Sequence, residues 1–301
     1  MDLSVVVPDT LGAELLPMSL AHLEAQSYPA ARFEILVAGD GSIPEVTALV
    51  ERFAAGAPVR IRYVQSPATG AAAARNAGVR EARGRWLLFL DEDLLAGPSL
   101  VQNHLRVQEQ HGGMALAVGS VALHPQVDPR AFTKHYPIYP FESPHRATTE
   151  ASPTAGVYNL SMPRQVFLEA GEFDEDPNVA DAEGLDLILR LREAGHSITY
   201  VPDACAYIWR QIPFDEERDR YYRYGRALYA LNQKGLASEV VRELGLDRRG
   251  LCSLLTAFLR PFYEIACRSL AANTPAFIHA SRQLLHQELR RGYRAVTSAR
   301  R

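Results

Sequence analysis

Residues 86–93 read Trp86-Leu87-Leu88-Phe89-Leu90-Asp91-Glu92-Asp93, an apolar run that ends directly in three acids. A short apolar run stopped this abruptly predicts a strand buried on both faces. The acids then stand at its carboxyl end, the edge where open parallel sheets bind ligands. The same design recurs toward the N-terminus. Leu3–Val7 closes on Pro8 and Asp9, Phe33–Ala38 closes on Gly39-Asp40-Gly41-Ser42, and Val59–Val64 is a third run. Helical patterns separate them: Leu16, Leu20 and Leu23 with Pro17 in the first turn, then Glu45–Phe53, then the alanine-rich Ala71–Ala82. Strands and helices alternating at this spacing predict βαβ units. The chain is therefore read as α/β, with a mixed, mostly parallel sheet covered by helices.

Downstream, a helix near Ser99–Gln110 and a strand near Met114–Val121 precede a break in the pattern. His124–Pro153 is rich in Pro, His and aromatics and has no sustained period, which reads as a long functional loop. Val157–Ser161 returns to the sheet, and a short helix follows from Pro163. Ala182–Glu193 is a helix with Leu185, Ile188 and Leu189 on one side and Glu183, Asp186, Arg190 and Glu193 as a charged stripe. Ile198–Val201 is a further strand. From Asp215 the chain is helical, with interruptions at Gly235, Gly245, Gly250 and Pro275. This divides it into a body, 1–234, and a helical C-terminal extension, 235–301.

Hydrophobic residues make up 47% and charged residues 22% of the 301 residues, enough apolar side chain for a packed core. A net charge of −3 argues against a general nucleic-acid binder. From Val241 onward, 11 Arg face 4 acids, a balance of +7, so the first 240 residues carry −10. Three cysteines, Cys205, Cys252 and Cys267, form neither a disulfide framework nor a zinc-ligand spacing. With no signal peptide and no apolar run of membrane-spanning length, the expected setting is the cytoplasm.

Asp9, Asp40 and the Asp91/Asp93 pair each follow a different strand, so acids distant in sequence converge on one crevice. On an extended segment, residues i and i+2 point the same way, which lets Asp91 and Asp93 face one ion while Glu92 points elsewhere. Hard cations such as Mg²⁺ or Mn²⁺ suit such oxygen donors and bridge to phosphates. Taken alone, an acidic triplet is more often a solvated turn. Its position at a strand end is what favours the metal.

Four blocks of sequence resemble family 2 glycosyltransferases of the GT-A fold. They are Val5-Val6-Val7-Pro8, Ile35–Ser42, Ala73-Ala74-Arg75-Asn76-Ala77-Gly78 leading into Phe89–Asp93, and Gly171–Glu175 followed by Glu183–Leu191. The resemblance implies a metal-dependent inverting transferase that moves a sugar from a nucleotide-sugar donor, a UDP-sugar, to an acceptor hydroxyl. It assigns Asp40 to the base with Pro8 and Asp9 lining that pocket, Arg75 and Asn76 to the nucleotide and the acidic loop, and Asp91 and Asp93 to the divalent ion. The acceptor, whether saccharide, lipid-linked or small molecule, is not specified.

The departures from the family pattern are equally specific. Gly39 stands where the first of two aspartates is usual, and Gly184 stands where the resemblance places the catalytic base. Two readings follow. Glu183, Asp181 or Asp186 takes over as base, or the chain is a non-catalytic relative that binds nucleotide sugars. Tyr221–Arg226 resembles a segment near the donor phosphates, with Arg223 or Arg226 as the neutralising cation; an amphipathic helix with solvated Arg explains it equally well. Tyr207 and Trp209 suit stacking on a sugar ring or simple burial. His124, His135 and His145 read as loop residues. The basic C-terminal helices suit packing on the body, homodimer contact or peripheral contact with an anionic membrane.

Overall fold

The protein is described from a computed structural model that covers residues 1–10, 12–112, 115–127, 157–210, 213–246, 259–269 and 275–298. Strand β1 (Leu3–Pro8), helix α1 (Leu16–Glu24), β2 (Phe33–Gly39), α2 (Pro44–Gly56), β3 (Arg60–Gln65), α3 (Ala71–Glu81) and β4 (Trp86–Leu90) form the alternating N-terminal half. There follow β5 (Leu94–Ala96), α4 (Leu100–Gln110), β6 (Leu116–Leu123), β7 (Asn159–Pro163), α5 (Arg164–Glu169), α6 (Glu183–Glu193) and β8 (Ile198–Ile208). The C-terminal helices are α7 (Phe214–Gln233), α8 (Ser238–Glu243), α9 (Arg260–Ser269) and α10 (Pro275–Ser298).

One eight-stranded sheet runs β3-β2-β1-β4-β7-β6-β8-β5. β1, β2, β3 and β4 are parallel, and β6 pairs parallel with β8. β7 is antiparallel to both β4 and β6, and β5 is antiparallel to β8. Two antiparallel steps restore direction, so the carboxyl ends of β1, β2, β4, β6 and β8 all reach one rim.

Every residue of β1, β2 and β4 is buried, which is why these runs carry no polar alternation. Their side chains still alternate in space. Val5 and Val7 join α1 and α2 in one apolar layer, while Val6 joins α3, α5 and α6 in the other. A third cluster sits on the outer side of α6, where Leu185 and Leu189 meet Leu228 and Leu231 of α7 and Leu285, Leu289 and Tyr293 of α10. Helix α6 is thus clamped between the sheet and the C-terminal helices, and this core runs across the expected 234/235 division.

The contact of α7 with α10 is made by backbone. A Cβ on Gly225 would collide with the Leu289 carbonyl, and one on Gly292 with the Tyr222 carbonyl. We expect Gly225→Ala to cost about 1–3 kcal/mol, since the helices must part. Gly56→Ala, where a Cβ meets nothing, serves as the control; it is neutral or stabilising by up to about 1 kcal/mol. Thermal unfolding of the two variants checks the contrast.

Several elements differ from their sequence reading. β5 was not expected, because three residues carry no measurable period. β8 continues past Val201 to Ile208, with a register shift opposite Gly119/Val121 that carries Pro202-Asp203 without ladder pairing. Segment 91–93 is a turn rather than an extended stretch, with the Leu94 N–H donating to the Asp91 carbonyl at 3.1 Å. Most of the expected loop, with His135 and His145, lies outside the described residues, as do Gly250 and Cys252. Among the described residues no helix is long and apolar enough to cross a membrane. Phe262 and Ile265 on α9 are both 61% exposed.

Candidate active site

The turn at 91–93 sends its three carboxylates to three places. Asp91 Oδ1 accepts from Arg75 Nη2 at 2.7 Å. Glu92 Oε1 accepts from the backbone N–H and hydroxyl of Thr10, both at 2.7 Å, which ties the acidic turn to the end of β1. Asp93 is buried, and among the described residues no ion pair closes on it within hydrogen-bond distance. Burial first, then the charge of Asp91, push its pKa up to about 6, against the opposing pull of Arg220 and Arg210. Asp91 and Asp93 therefore feel one another, although the turn, not strand alternation, brings them together.

Arg75 is the hinge of the site. Its guanidinium is buried on α3, with Nη2 on Asp91 and Nη1 donating to Glu183 Oε1 at 2.9 Å. Burial opposes its charge, while Asp91 and Glu183 raise its pKa. One planar fork thus links the acidic turn to the start of α6. Asn76, the next residue, turns the other way. It donates to the Phe173 carbonyl and Glu175 and accepts from the Phe173 N–H, so it anchors the loop before α6.

Across the rim, Pro8 ends β1 in the core, and Asp9 faces β2. A Cβ on Gly39 would lie 2.9 Å from both Cβ and Oδ2 of Asp9 and 2.8 Å from the Tyr63 hydroxyl. The space that a side chain at 39 would fill is thus taken by Asp9 and Tyr63. Tyr63 donates to Asp9 Oδ2 at 3.5 Å and accepts from the Gly41 N–H at 3.1 Å. Burial, then the nearby Asp40, raise the pKa of Asp9, and its Oδ1 is buried without a hydrogen-bond partner. The Ser42 hydroxyl first, and then the Ser42 N–H, which donates to Asp40 Oδ1 at 2.9 Å, lower the pKa of Asp40.

At the head of α6, packing explains the glycine. A Cβ on Gly184 would approach Val157 Cγ2 to 2.8 Å, so Val157 fills the space of any longer side chain there. The three carboxylates nearby have distinct environments. Asp186 is 1% exposed and accepts from Arg190 Nε at 2.9 Å and Nη2 at 2.7 Å. Arg190 also donates to the Ala170 and Glu172 carbonyls, so this pair braces the loop before α6. Asp181 is exposed, sits at φ 70°, and pairs with Arg223 at 2.9 and 3.2 Å. Glu183 gives one oxygen to Arg75, and its other, Oε2, is buried with no hydrogen-bond partner among the described residues.

Helix α7 contributes cations that its sequence pattern did not single out. Arg220 faces Asp93, pairs with the buried Glu217 at 3.3 Å, and stands near Tyr224, whose hydroxyl pKa is raised by burial and then by Glu183. Arg210 also acts on Asp93 and is held by Glu216. Arg226 is exposed and forms no ion pair among the described residues. No sequence signal separates Arg220 from Arg218, Arg223 and Arg226 on the same helix.

A mixed, mostly parallel sheet with these acids gathered at one rim has the architecture of the GT-A fold. The profile of Glycosyl transferase family 2 matches residues 4–169, and the chain belongs to that family. It is 29% identical over 235 residues to validoxylamine A glucosyltransferase of Streptomyces hygroscopicus subsp. jinggangensis, covering 65% of this chain and 53% of that one. It is 33% identical over 116 residues to the uncharacterized glycosyltransferase YfnE of Bacillus subtilis, covering 38% and 29%. The chain thus spans about half the length of the first relative and less of the second. Mannosyltransferase PcManGT from Pyrobaculum calidifontis, solved with GDP-Man and Mn²⁺, matches at TM-score 0.62 and 16% identity, covering 95% of this chain and 85% of that one. Staphylococcus aureus TarS 1–349, solved with UDP-GlcNAc, matches at TM-score 0.55 and 14% identity, covering 99% and 92%.

Proposed function

We propose that this protein transfers a sugar from a nucleoside diphosphate sugar, a UDP-sugar, to an acceptor hydroxyl with inversion at the anomeric carbon. One observation carries the reading: Asp9, Asp40, Asp91, Asp93, Arg75 and Glu183 meet at one rim of the sheet. Asp40 accepts from a base N–H of the nucleoside, with Pro8 and Asp9 lining that pocket. The resemblance to proteins solved with GDP-Man or UDP-GlcNAc supports the same donor class.

The donor set fits a divalent ion, Mn²⁺ or Mg²⁺. A buried Asp93 without an ion pair, beside an Asp91 with one oxygen on Arg75, is a pair of hard oxygen donors short of positive charge. No group of three His, Cys, Asp or Glu that could hold a metal occurs among the described residues. Such ions bind through one or two carboxylates plus substrate phosphates. When bound, the ion neutralises the charge that develops on the leaving diphosphate.

Glu183 acts as the base. Arg75 keeps it oriented, while Oε2 accepts the acceptor's hydroxyl proton as that oxygen bonds to the anomeric carbon and the bond to the diphosphate breaks. Arg220 faces the same charge from α7; Asp181, bound to Arg223, and Arg226 lie further out. The C-terminal helices serve first to hold α6, and the exposed Phe262 and Ile265 mark where a homodimer or lipid contact would form. The packing of Val157 over Gly184 favours a second reading, a nucleotide-sugar binder without transfer. Assays against a donor panel, beside calorimetry with UDP and Mn²⁺, separate the two. Binding with neither transfer nor donor hydrolysis supports the second reading, and absence of binding overturns both.

The raised pKa of Asp93 gives ion uptake a pH dependence. Its value in the fold, about 6, exceeds 3.8, so protonation stabilises the fold; that contribution is full below 3.8 and is lost as pH rises through 6. A cation competes with this proton. Manganese affinity, measured by calorimetry with UDP present, is expected to fall about tenfold from pH 7.5 to pH 5. A flat profile removes Asp93 from the ligand set.

A further inference from the structure

Three aromatic rings at the rim belong to none of the apolar clusters among the described residues. His124 leaves β6, and Tyr207 and Trp209 lie at the end of β8; all three are half-buried. The His124 ring meets Trp209 at 4.7 Å and 65°, and Tyr207 at 5.8 Å and 83°. The His124 N–H donates to the Ile208 carbonyl at 3.0 Å, which fixes the two strand ends together. The Gln126 N–H donates to His124 Nδ1 at 3.3 Å, so the neutral ring carries its proton on Nε2, and nothing among the described residues accepts from it.

Their place beside the acidic turn follows from register. Leu94 pairs with Ile208 and Leu95 with Tyr207 in antiparallel order. Extending that ladder by one residue sets Trp209 opposite Asp93. The next residue, Arg210, is one of the cations that act on Asp93. The cluster thus borders Asp93 at the β8 side of the rim, whereas Asp9 and Asp40 lie on the β1–β2 side.

We propose that Trp209, braced by His124 and Tyr207, is a stacking platform for a pyranose ring of the acceptor. An edge-on neighbour covers at most one face of an indole. A pyranose offers a face of C–H bonds to such a ring and a rim of hydroxyls to a donor such as His124 Nε2–H. Core packing would have placed Tyr207 and Trp209 in an apolar cluster, and among the described residues it has not. The inference rests on the transferase reading for the word acceptor, but the platform is testable without it.

The probes are cellobiose and methyl β-N-acetylglucosaminide, with open-chain sorbitol as the control that has hydroxyls but no ring face. Saturation-transfer NMR on the wild type is expected to show transfer concentrated on ring C–H protons of a pyranoside and none to sorbitol. The Trp209 indole N–H resonance moves as the pyranoside is added. Trp209→Phe retains binding, and Trp209→Leu, apolar but without a ring face, weakens it about tenfold. Pyranoside binding that is equal in Trp209→Leu, or an indole resonance that stays still, overturns the platform. Should Trp209→Leu fail to fold, the wild-type resonance decides alone. Calorimetry with UDP and Mn²⁺ separates the two ideas: pyranoside binding without UDP binding keeps the platform and removes the transferase reading. UDP binding with no pyranoside contact does the reverse.

Discussion

Glu183→Gln lowers turnover by about 10²–10⁴-fold, the range of a lost general base, while UDP affinity stays within about twofold. The amide keeps the shape and still accepts from Arg75, but its second polar atom no longer takes a proton. Asp186→Asn acts differently. Asp186 is buried on Arg190, which in turn holds the Ala170 and Glu172 carbonyls. Losing its charge costs about 1–3 kcal/mol of stability, and the folded fraction remains active. Steady-state assays beside chemical denaturation resolve the two effects. Equal residual activity in both variants removes either residue as the base and leaves Asp181 as the remaining candidate.

Arg75→Met is expected to cost about 3 kcal/mol, because it strands two carboxylates that share one buried cation. The side chains of Asp91 and Glu183 are 26% and 12% exposed, so partial solvation keeps the loss at the lower end of the about 3–5 kcal/mol that breaking a buried ion pair costs. For a chain of this size the melting temperature falls by about 6 °C. Turnover is lost as well, since Glu183 loses its orientation. Mn²⁺ with UDP recovers part of the stability by restoring positive charge beside Asp91. Arg75→Lys does not recover activity, because a single ammonium cannot span both partners as the planar fork does. Recovery of full activity in Arg75→Lys would show that the bridge is dispensable.

Much of the fold was legible because its signals are local. The uninterrupted apolar runs at 3–7, 33–38 and 86–90 announce doubly buried strands, and the acids behind them announce a shared rim. β5 and the second half of β8 were not legible, because a three-residue strand has no period and Pro202-Asp203 breaks the run within β8. The antiparallel placing of β7 was hidden as well, since strand direction leaves no mark on a five-residue segment. In the proposed site, Asp9, Asp40, Arg75, Asp91 and Glu183 are the residues that strand ends and family pattern single out. Arg220 was missed, since on a helix dense with Arg only a tertiary neighbour distinguishes one from the next.

The family rests on the resemblance of four sequence blocks; the chain's own pattern of hydrophobic runs and turn residues settled the α/β architecture and the rim that carries the acids. Local periodicity and side-chain chemistry are sufficient for those. Tertiary structure decided what each departure from pattern means. Asp9 and Tyr63 fill the volume beside Gly39, and Val157 fills the volume beside Gly184. Arg75 joins the acidic turn to α6, and α10 joins the core that clamps α6. Each of these depends on which atoms meet across sixteen or more residues of chain, and exclusion of one side chain by another is a property of packing in space.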